Sequence, residues 1–381
     1  MKLEQLKSLF SLLKIPDLYG RYITNSDIEK CLKKIPDSIS SVVGYSVEQR
    51  PIYCLKFGKG NKKVLMWSQM HGNESTTTKA LFDCFNLFLT NNAISNSILD
   101  TCTILVIPIL NPDGAERYTR LNANDIDLNR DAQDLSQPES KILRKTFDEF
   151  KPDFCFNFHG QRTIYNVGGT GNSSILSFLS PAQNEQRTLT NNRKEAMALI
   201  VEINSMLQQV IPHGVARYDD GFNLNCVGDT FQSLGVPTVL FEAGHYPSDY
   251  NREEVRYLMF LAILKALETV TNGIDISTHE DYFKIPENAK QFYDIIIRNT
   301  KLDEVSSQSV DLGIQYQETL INHKIDFVPK VEIISNLDGF YGHREIDAKY
   351  KLVKSQNGTT IKVANENDFV LINNEKISLK P

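Results

Sequence analysis

Residues 64–74 read Val64-Leu-Met-Trp-Ser-Gln-Met-His71-Gly-Asn-Glu74. The first seven residues form a short apolar run of the kind that fills a buried strand. Gly72-Asn73 breaks the run. Ala80, Leu81, Cys84, Phe85 and Phe88 then recur at helical spacing. A strand therefore ends at a His, and the following helix begins near a Glu three positions on. Such a turn can aim both side chains at one ion, since the strand end fixes the His and the helix start fixes the Glu. Alone the pattern is weak. A polar turn with a Glu favoured by the helix dipole gives the same letters.

The same grammar repeats outward. Thr103-Ile-Leu-Val-Ile-Pro-Ile-Leu110 is almost wholly apolar, as in strands buried on both faces. Asp153 to Phe158 is another apolar strand, and His159 follows it. Thr238-Val-Leu-Phe241 is a fourth, and Glu242 follows that. Helical patterns lie between them, over 140–150, 184–210 and 252–270. Upstream, Leu3, Leu6, Leu9, Phe10 and Leu13 mark a helix. A second helix runs from Ser26, read as its N-cap, to Lys34, and a strand covers 51–57. Alternation from about 50 to 270 predicts an α/β fold, with a mixed, mostly buried sheet flanked by helices.

Beyond Thr271-Asn-Gly273 the character changes. Residues 281–298 read as helical. Short alternating runs follow at 314–320, 331–334, 350–353, 361–363 and 369–372, with Asn357-Gly358 as a hairpin signal. The predicted division is 1–275 as the α/β domain with its helical lead-in. The remainder, 276–381, is a small C-terminal domain, partly helical and then a β-rich appendage.

The chain has 381 residues, and 41 Lys+Arg against 47 Asp+Glu give a net charge of −6. That excludes a basic nucleic-acid footprint as the main theme. With 41% hydrophobic residues a sizeable core is available. No run approaches the ~20 apolar residues of a membrane span, and charges interrupt the first ten residues as no signal-peptide core would allow. The expectation is a cytoplasmic protein without a membrane partner. The six cysteines, at 31, 54, 84, 102, 155 and 226, are scattered and contain no CxxC, so they read as reduced, buried small residues.

Three strand ends thus carry ligand- or base-type side chains. In open α/β sheets, ligands bind at the carboxyl ends of strands. His159 there completes a His₂Glu set with His71 and Glu74, the donor set of a catalytic zinc site with one open position. A satisfied buried His is the competing reading. Glu242, directly after an apolar run, suits the general base of zinc–water chemistry, or else is a surface Glu just past its strand. The stretch Arg120-Leu-Asn-Ala-Asn-Asp-Ile-Asp127-Leu-Asn129-Arg130 sets two arginines ten apart around an Asn and an Asp. Arginine matches carboxylates in a two-pronged fashion and stabilises a developing oxyanion. Asp127 can hold a ligand His by its second ring nitrogen. A solvated polar loop is the alternative.

The ordered set is more specific than its parts. His71-Gly-Asn-Glu74, then Asn111-Pro-Asp-Gly114, then Arg120 and Asp127-Leu-Asn-Arg130, then the strand-end His159 and Glu242, resembles the zinc metallocarboxypeptidases, the carboxypeptidase A/B-like and E-like peptidases. Gly44-Tyr-Ser46-Val-Glu-Gln-Arg50-Pro51 resembles that family's lead-in. The resemblance covers about residues 40–270. It implies a metallocarboxypeptidase-like fold and one zinc ion per chain on His71, Glu74 and His159. Glu242 would be general base and proton shuttle, and Arg120 would polarise the scissile carbonyl. Asn129 and Arg130 would grip the substrate's C-terminal carboxylate, and Asp127 would orient His71. The implied substrate is a peptide or an acyl-amino acid with a free carboxylate. The runner-up is a zinc deacylase or amidase acting on N-acyl amino acids or cell-wall-type peptides with the same site. A catalytically silent binding module is disfavoured by the intact set.

Departures are also legible. Asp125 stands where the family has Gly before Ile-Asp-Leu-Asn-Arg. Tyr218 is the nearest match to the family's mobile Tyr, in a loose alignment. The position that sets side-chain preference falls on Gly228, before Asp229, and offers no charge. His245 reads as loop structure. Beyond 270 nothing resembles the family.

Overall fold

A computed structural model describes residues 3–304 and 308–381. Seventeen named strands and nine α-helices occur among them. The helices are α1 Leu3–Leu13, α2 Asn25–Leu32, α3 Thr76–Phe88, α4 Ala93–Thr101, α5 Pro112–Arg117, α6 Pro138–Phe150, α7 Asn191–Leu207, α8 Val227–Ser233 and α9 Glu253–Asn272. Eight strands make the main sheet: β1 Ser40–Tyr45, β2 Pro51–Phe57, β3 Lys62–Trp67, β4 Cys102–Ile107, β5 Phe154–Gly160, β7 Leu176–Leu179, β8 Val215–Arg217 and β9 Thr238–Ala243. Strand β6, Tyr165–Val167, lies outside it.

The sheet order is β1-β2-β4-β3-β5-β9-β7-β8. Strands β4, β3, β5 and β9 run parallel, with antiparallel partners on both flanks. The apolar runs are explained by two-sided burial. Val64, Met66, Phe156, Phe158 and Phe241 join α1, α3, α7 and α9 in one core. Leu65, Trp67 and Cys155 face the other way, onto α6 and α8. With both faces covered, period-two alternation has no solvent side on which to place polar residues.

Local signals set most boundaries. Asp27 accepts the backbone N–H of Thr24 at 3.0 Å, so α2 starts from Thr24 and not from the expected Ser26. Helix α7 is shorter than the 184–210 pattern. A buried two-pronged pair, Arg256 Nε and Nη2 each 2.6 Å from Asp83, ties α9 to α3.

After α9, a 3-10 segment covers Ile276–Lys284. The helix expected over 281–298 is absent. Strands β10, Asn288–Lys290, and β11, Phe292–Thr300, occupy its second half. At the centre of β11, Ile295-Ile296-Ile297 is a β-branched run that favours strand over helix. Ile295 and Ile297 pack in a separate core. Strands β12 Val310–Ile321, β13 Lys324–Ser335 and β14 Tyr341–Asp347 complete a sheet of order β13-β12-β11-β14. Strands β15 Val353–Lys354, β16 Phe369–Ile372 and β17 Glu375–Ser378 form a small third sheet. Residues 361–363, expected as a strand, lie outside every strand. Gly358, at φ +74, supplies the left-handed turn foreseen at Asn357-Gly358. β10 pairs antiparallel with β6, so the C-terminal strands are stitched to the main domain beside the carboxyl end of β5.

Candidate active site

Strand β3 delivers His71 through a strained link, since Gln69 sits at φ +44 and is fully buried. Gly72 then passes so close to Gly114 that a Cβ would lie 1.9 Å from the Gly114 carbonyl carbon. The two motifs His71-Gly-Asn-Glu74 and Asn111-Pro-Asp-Gly114 are therefore halves of one packed turn. Asn111 accepts the Gly114 N–H at 2.8 Å. Buried Asp113 accepts from Ser46 Oγ at 2.7 Å and Arg50 at 2.7 Å, which gives the upstream lead-in its structural purpose.

His71 Nδ1, His159 Nδ1 and the Glu74 carboxylate converge. His71 Nδ1 is 2.9 Å from Glu74 Oε1, His159 Nδ1 is 3.0 Å from Glu74 Oε2, and the two ring nitrogens are 3.1 Å apart. Ligands ~2.0–2.1 Å from a tetrahedral zinc ion stand about 3.3 Å from one another. The donor set and spacing fit that ion. The tautomer fits as well. Arg120 Nη1 approaches His71 Nδ1 at 3.2 Å, and a guanidinium only donates. Nε2–H donates to Asp127 Oδ1 at 3.1 Å, and in the neutral ring this leaves the Nδ1 lone pair for an ion. The Gly160 N–H steadies Glu74 Oε2 at 2.9 Å.

Charge is sharply arranged. Burial opposes ionisation of Glu74, yet the two imidazoles hold its carboxyl well below the usual range. Partial burial likewise works against Asp127, yet His71 and Arg120 hold its carboxyl low. Glu242 is the opposite case. Burial and the neighbouring Glu74 push its carboxyl well up, Arg120 and Arg252 pull the other way, and its Oε2 has no partner. Two carboxylates with opposed pKa shifts thus share one cleft, a pattern common at functional sites.

The cleft has a volume of about 690 Å³ and is lined by every residue singled out for chemistry except Asp127, which stands behind His71. Arg120 spans ligand cluster and support, donating to Asp127 Oδ2 at 2.9 Å through Nη2. Asn129 accepts the Val227 N–H at 3.0 Å, and Arg130 Nη1 reaches Cys226 Sγ at 3.1 Å. Tyr218 also faces the cleft, edge-on to Tyr165, and burial beside Glu242 pushes its hydroxyl pKa up. Asp125 adopts φ +58, which accounts for the family's Gly there. The His245 ring is buried against Tyr250 and His343 with neither nitrogen hydrogen-bonded, and it is not part of the cleft lining.

The sequence reading gave no role to Arg21, Asn73, Arg162, Arg252 or Glu318, all of which line the cleft. Arg21 and Glu318 come from opposite ends of the chain, and no motif spacing connects them. Asn73 alone carried a signal, standing inside the ligand motif, and its Oδ1 is buried without a partner.

Residues 24–222 match the family model described as zinc carboxypeptidase, over more than half of the chain. That segment contains His71, Glu74, Arg120, Asp127, Asn129, Arg130 and His159, while Glu242 lies beyond it. The chain is 27% identical to mouse carboxypeptidase A2 over 52% of its own length, and 30% identical to carboxypeptidase E of Caenorhabditis elegans over 39%. It is 25% identical to carboxypeptidase SOL1 of Arabidopsis thaliana over 41%. The matched segments span only 43%, 38% and 36% of those relatives' lengths. Among solved structures, a metallo-carboxypeptidase of Pseudomonas aeruginosa aligns with TM-score 0.52 and 18% identity, over 66% of this chain and 69% of that one. Carboxypeptidase A of Helicoverpa armigera aligns with TM-score 0.52 and 16% identity, over 71% and 80%. These two likenesses establish a shared fold.

Proposed function

The chain belongs to the zinc carboxypeptidase family, and from that premise we propose that it is a zinc-dependent exopeptidase releasing the C-terminal residue of peptides that end in a free carboxylate. The observation that carries the reading is the convergence of His71, Glu74 and His159 in one cleft with Glu242 and with the Asn129–Arg130 pair. One zinc ion per chain on those three ligands supplies a Lewis acid and an acidified water.

The chain's own residues supply the rest. Asn129 and Arg130 bind the terminal carboxylate and fix the register of the substrate. A guanidinium fork suits that planar anion. Arg120, beside His71 and Glu74, donates to the scissile carbonyl oxygen as negative charge develops on it. Glu242, in register with His159 on the neighbouring strand, takes the proton of the attacking water as its carboxylate and returns it to the departing nitrogen. Tyr218 closes the same space and is well placed to donate to the substrate. Asp127 keeps the His71 lone pair turned inward.

The test has two parts. Elemental analysis of the purified protein should find one zinc per chain. Matched peptides with free and amidated C-termini should then be hydrolysed unequally, the amidated one poorly. Equal hydrolysis would transfer the site to the deacylase or amidase reading, in which the carboxylate clamp has no part.

A further inference from the structure

Arg252 is 2% exposed, lies in the cleft wall, and has no carboxylate in ion-pair range among the described residues. Its Nη1 donates to the Ala243 carbonyl at 2.6 Å and its Nη2 to the Gln161 carbonyl at 2.5 Å, while Nε has no partner. It holds a left-handed backbone, φ +55, at the start of α9. A left-handed backbone and a buried cation without a paired carboxylate are each costly. Burial and nearby Arg21 draw its pKa down to about 10, against the fields of Glu318, Tyr118 and Glu74.

Two further arginines share this end of the cleft. Arg162 is exposed and has no hydrogen-bond or ion-pair partner among the described residues. Arg21 is bound to Glu318 through both terminal nitrogens, at 3.0 Å each. Glu318 also accepts from the Tyr118 hydroxyl. Glu318, the carboxylate that β12 turns to the cleft, is thus already matched by Arg21. Glu74 and Glu242 are reserved for the metal and the proton. Arg162 and Arg252 remain in excess.

The position of this end follows from contacts. Arg130 adjoins Asn129, and Asp127 bonds both the Asn129 N–H and His71. His71 leads to Glu74, and Ser75 Oγ donates to the Arg21 carbonyl at 2.5 Å. The ligand cluster lies on the run of contacts that joins the clamp loop to the arginines, since the Gly160 N–H donates to Glu74 and Arg252 donates to the neighbouring Gln161 carbonyl. A substrate held by its C-terminus at Arg130 and cut at the metal extends its N-terminal side toward Arg162, Arg252 and β12.

We propose that Arg162 and Arg252, backed by the Arg21–Glu318 pair, form an anion subsite that reads a carboxylate carried on the N-terminal side of the scissile bond. The preferred substrates are then acidic at that side, through a side chain or through a dicarboxylic N-acyl group. The C-terminal β-sheet becomes part of the substrate site, because β12 walls this subsite. The inference rests on the exopeptidase reading, which sets the direction of the substrate.

The experiment uses two isosteric pairs with one shared free C-terminal residue: acyl-Glu against acyl-Gln peptides, and succinyl against succinamoyl peptides. A Lys peptide is the third arm. Wild type should favour the acidic member by roughly 10- to 100-fold in kcat/KM, the range of a charge-assisted contact. Whichever pair shows the ratio identifies the source of the carboxylate. Arg162→Gln should bring the ratio near one, and Arg162→Glu should turn the preference toward the Lys peptide. Arg162 is exposed, so these variants fold. The same pairs are titrated calorimetrically into zinc-loaded Glu242→Gln, so the ratio is read without turnover. A wild-type ratio near one, a ratio indifferent to Arg162→Gln, or a wild-type preference for Lys overturns the proposal. Cleavage of the Gln peptide with no ratio leaves the exopeptidase reading standing. Cleavage of no free-carboxyl peptide overturns that reading, while the calorimetric ratio still decides the subsite.

Discussion

Asp127 Oδ1 accepts from His71 Nε2 at 3.1 Å and from the backbone N–H of Asn129 at 2.9 Å. One carboxylate oxygen thus couples the orientation of His71, the proposed metal ligand, to the loop that carries the proposed carboxylate clamp. This makes the adjacency of Asp127 and Asn129 in sequence a mechanical fact, since a shift in the ligand must be felt at the clamp.

Asp127→Ala should therefore weaken zinc retention by ~10–100-fold, the usual consequence of removing a partner behind a ligand His. It should also raise KM. Competition with a graded chelator measures the first effect, and circular dichroism should show the fold kept, because the domain's cores do not depend on Asp127. Wild-type zinc retention in this variant would show that His71 is oriented by something else.

Glu242→Gln should bind zinc normally and lose ~10²–10⁴ in turnover. Glu242 pairs in register with His159 across parallel β5 and β9, so an isosteric side chain stays in place. Single-turnover kinetics on zinc-loaded protein is the measurement. Near-normal turnover would remove Glu242 from its assigned role.

Asp294 gives a stability prediction away from the metal. It is 1% exposed, and it accepts from the Tyr316 N–H at 2.7 Å and the Tyr250 hydroxyl at 3.1 Å. Burial outweighs these bonds and pushes its pKa up to about 6 from 3.8. The folded state thus binds this proton more tightly than the unfolded one. The resulting stabilisation is full below the unfolded pKa and is lost as pH rises through about 6, a change of about 3 kcal/mol at most. Asp294→Asn should erase that slope while lowering stability overall, since one acceptor oxygen is lost. Denaturation midpoints of both proteins between pH 4 and 8 test it. Parallel pH profiles would assign Asp294 an ordinary pKa.

The central fold was readable because its strands are buried on both faces. A run such as Thr103–Leu110 admits few other structures. The ligand cluster was readable for a related reason, since His71, His159 and Glu242 all follow such runs. Misreadings fall where local pattern is weak. Phe292–Thr300 has no clear period, so its one local strand signal is the β-branched run Ile295-Ile296-Ile297, and pairing with β12 and β14 completes the strand. Arg21, Arg252 and Glu318 were hidden because their meaning is wholly tertiary. A buried Arg looks like any other Arg until the fold removes its solvent. Asp125 shows the reverse case, in which a departure from the family's Gly is explained by one backbone angle. Asp125→Gly should raise stability by up to about 1 kcal/mol, since a left-handed residue with a Cβ is strained, and urea midpoints would show it.

Arg130 separates the exopeptidase from those readings of the same metal site that need no free substrate carboxylate. Its Nη1 now donates to the Asn129 carbonyl at 2.7 Å and touches Cys226 Sγ, and the side chain lines the cleft in the field of Asp229. A substrate carboxylate offers that guanidinium a charged acceptor in place of a neutral one. Losing such a contact costs roughly 1.5–3 kcal/mol, so Arg130→Ala should raise KM by about 10- to 100-fold. Amidation of the substrate should cost wild type a similar factor. The decisive measurement combines the two. If Arg130 touches the carboxylate, mutant enzyme on amidated substrate should lose little more than either change alone, because the same contact cannot be removed twice. Fully additive losses would mean that the guanidinium and the carboxylate act separately, and the clamp would then have to be sought elsewhere in the cleft. Arg120→Ala provides the contrast. Its contact strengthens only as charge develops on the carbonyl oxygen, so it should depress kcat more than it raises KM.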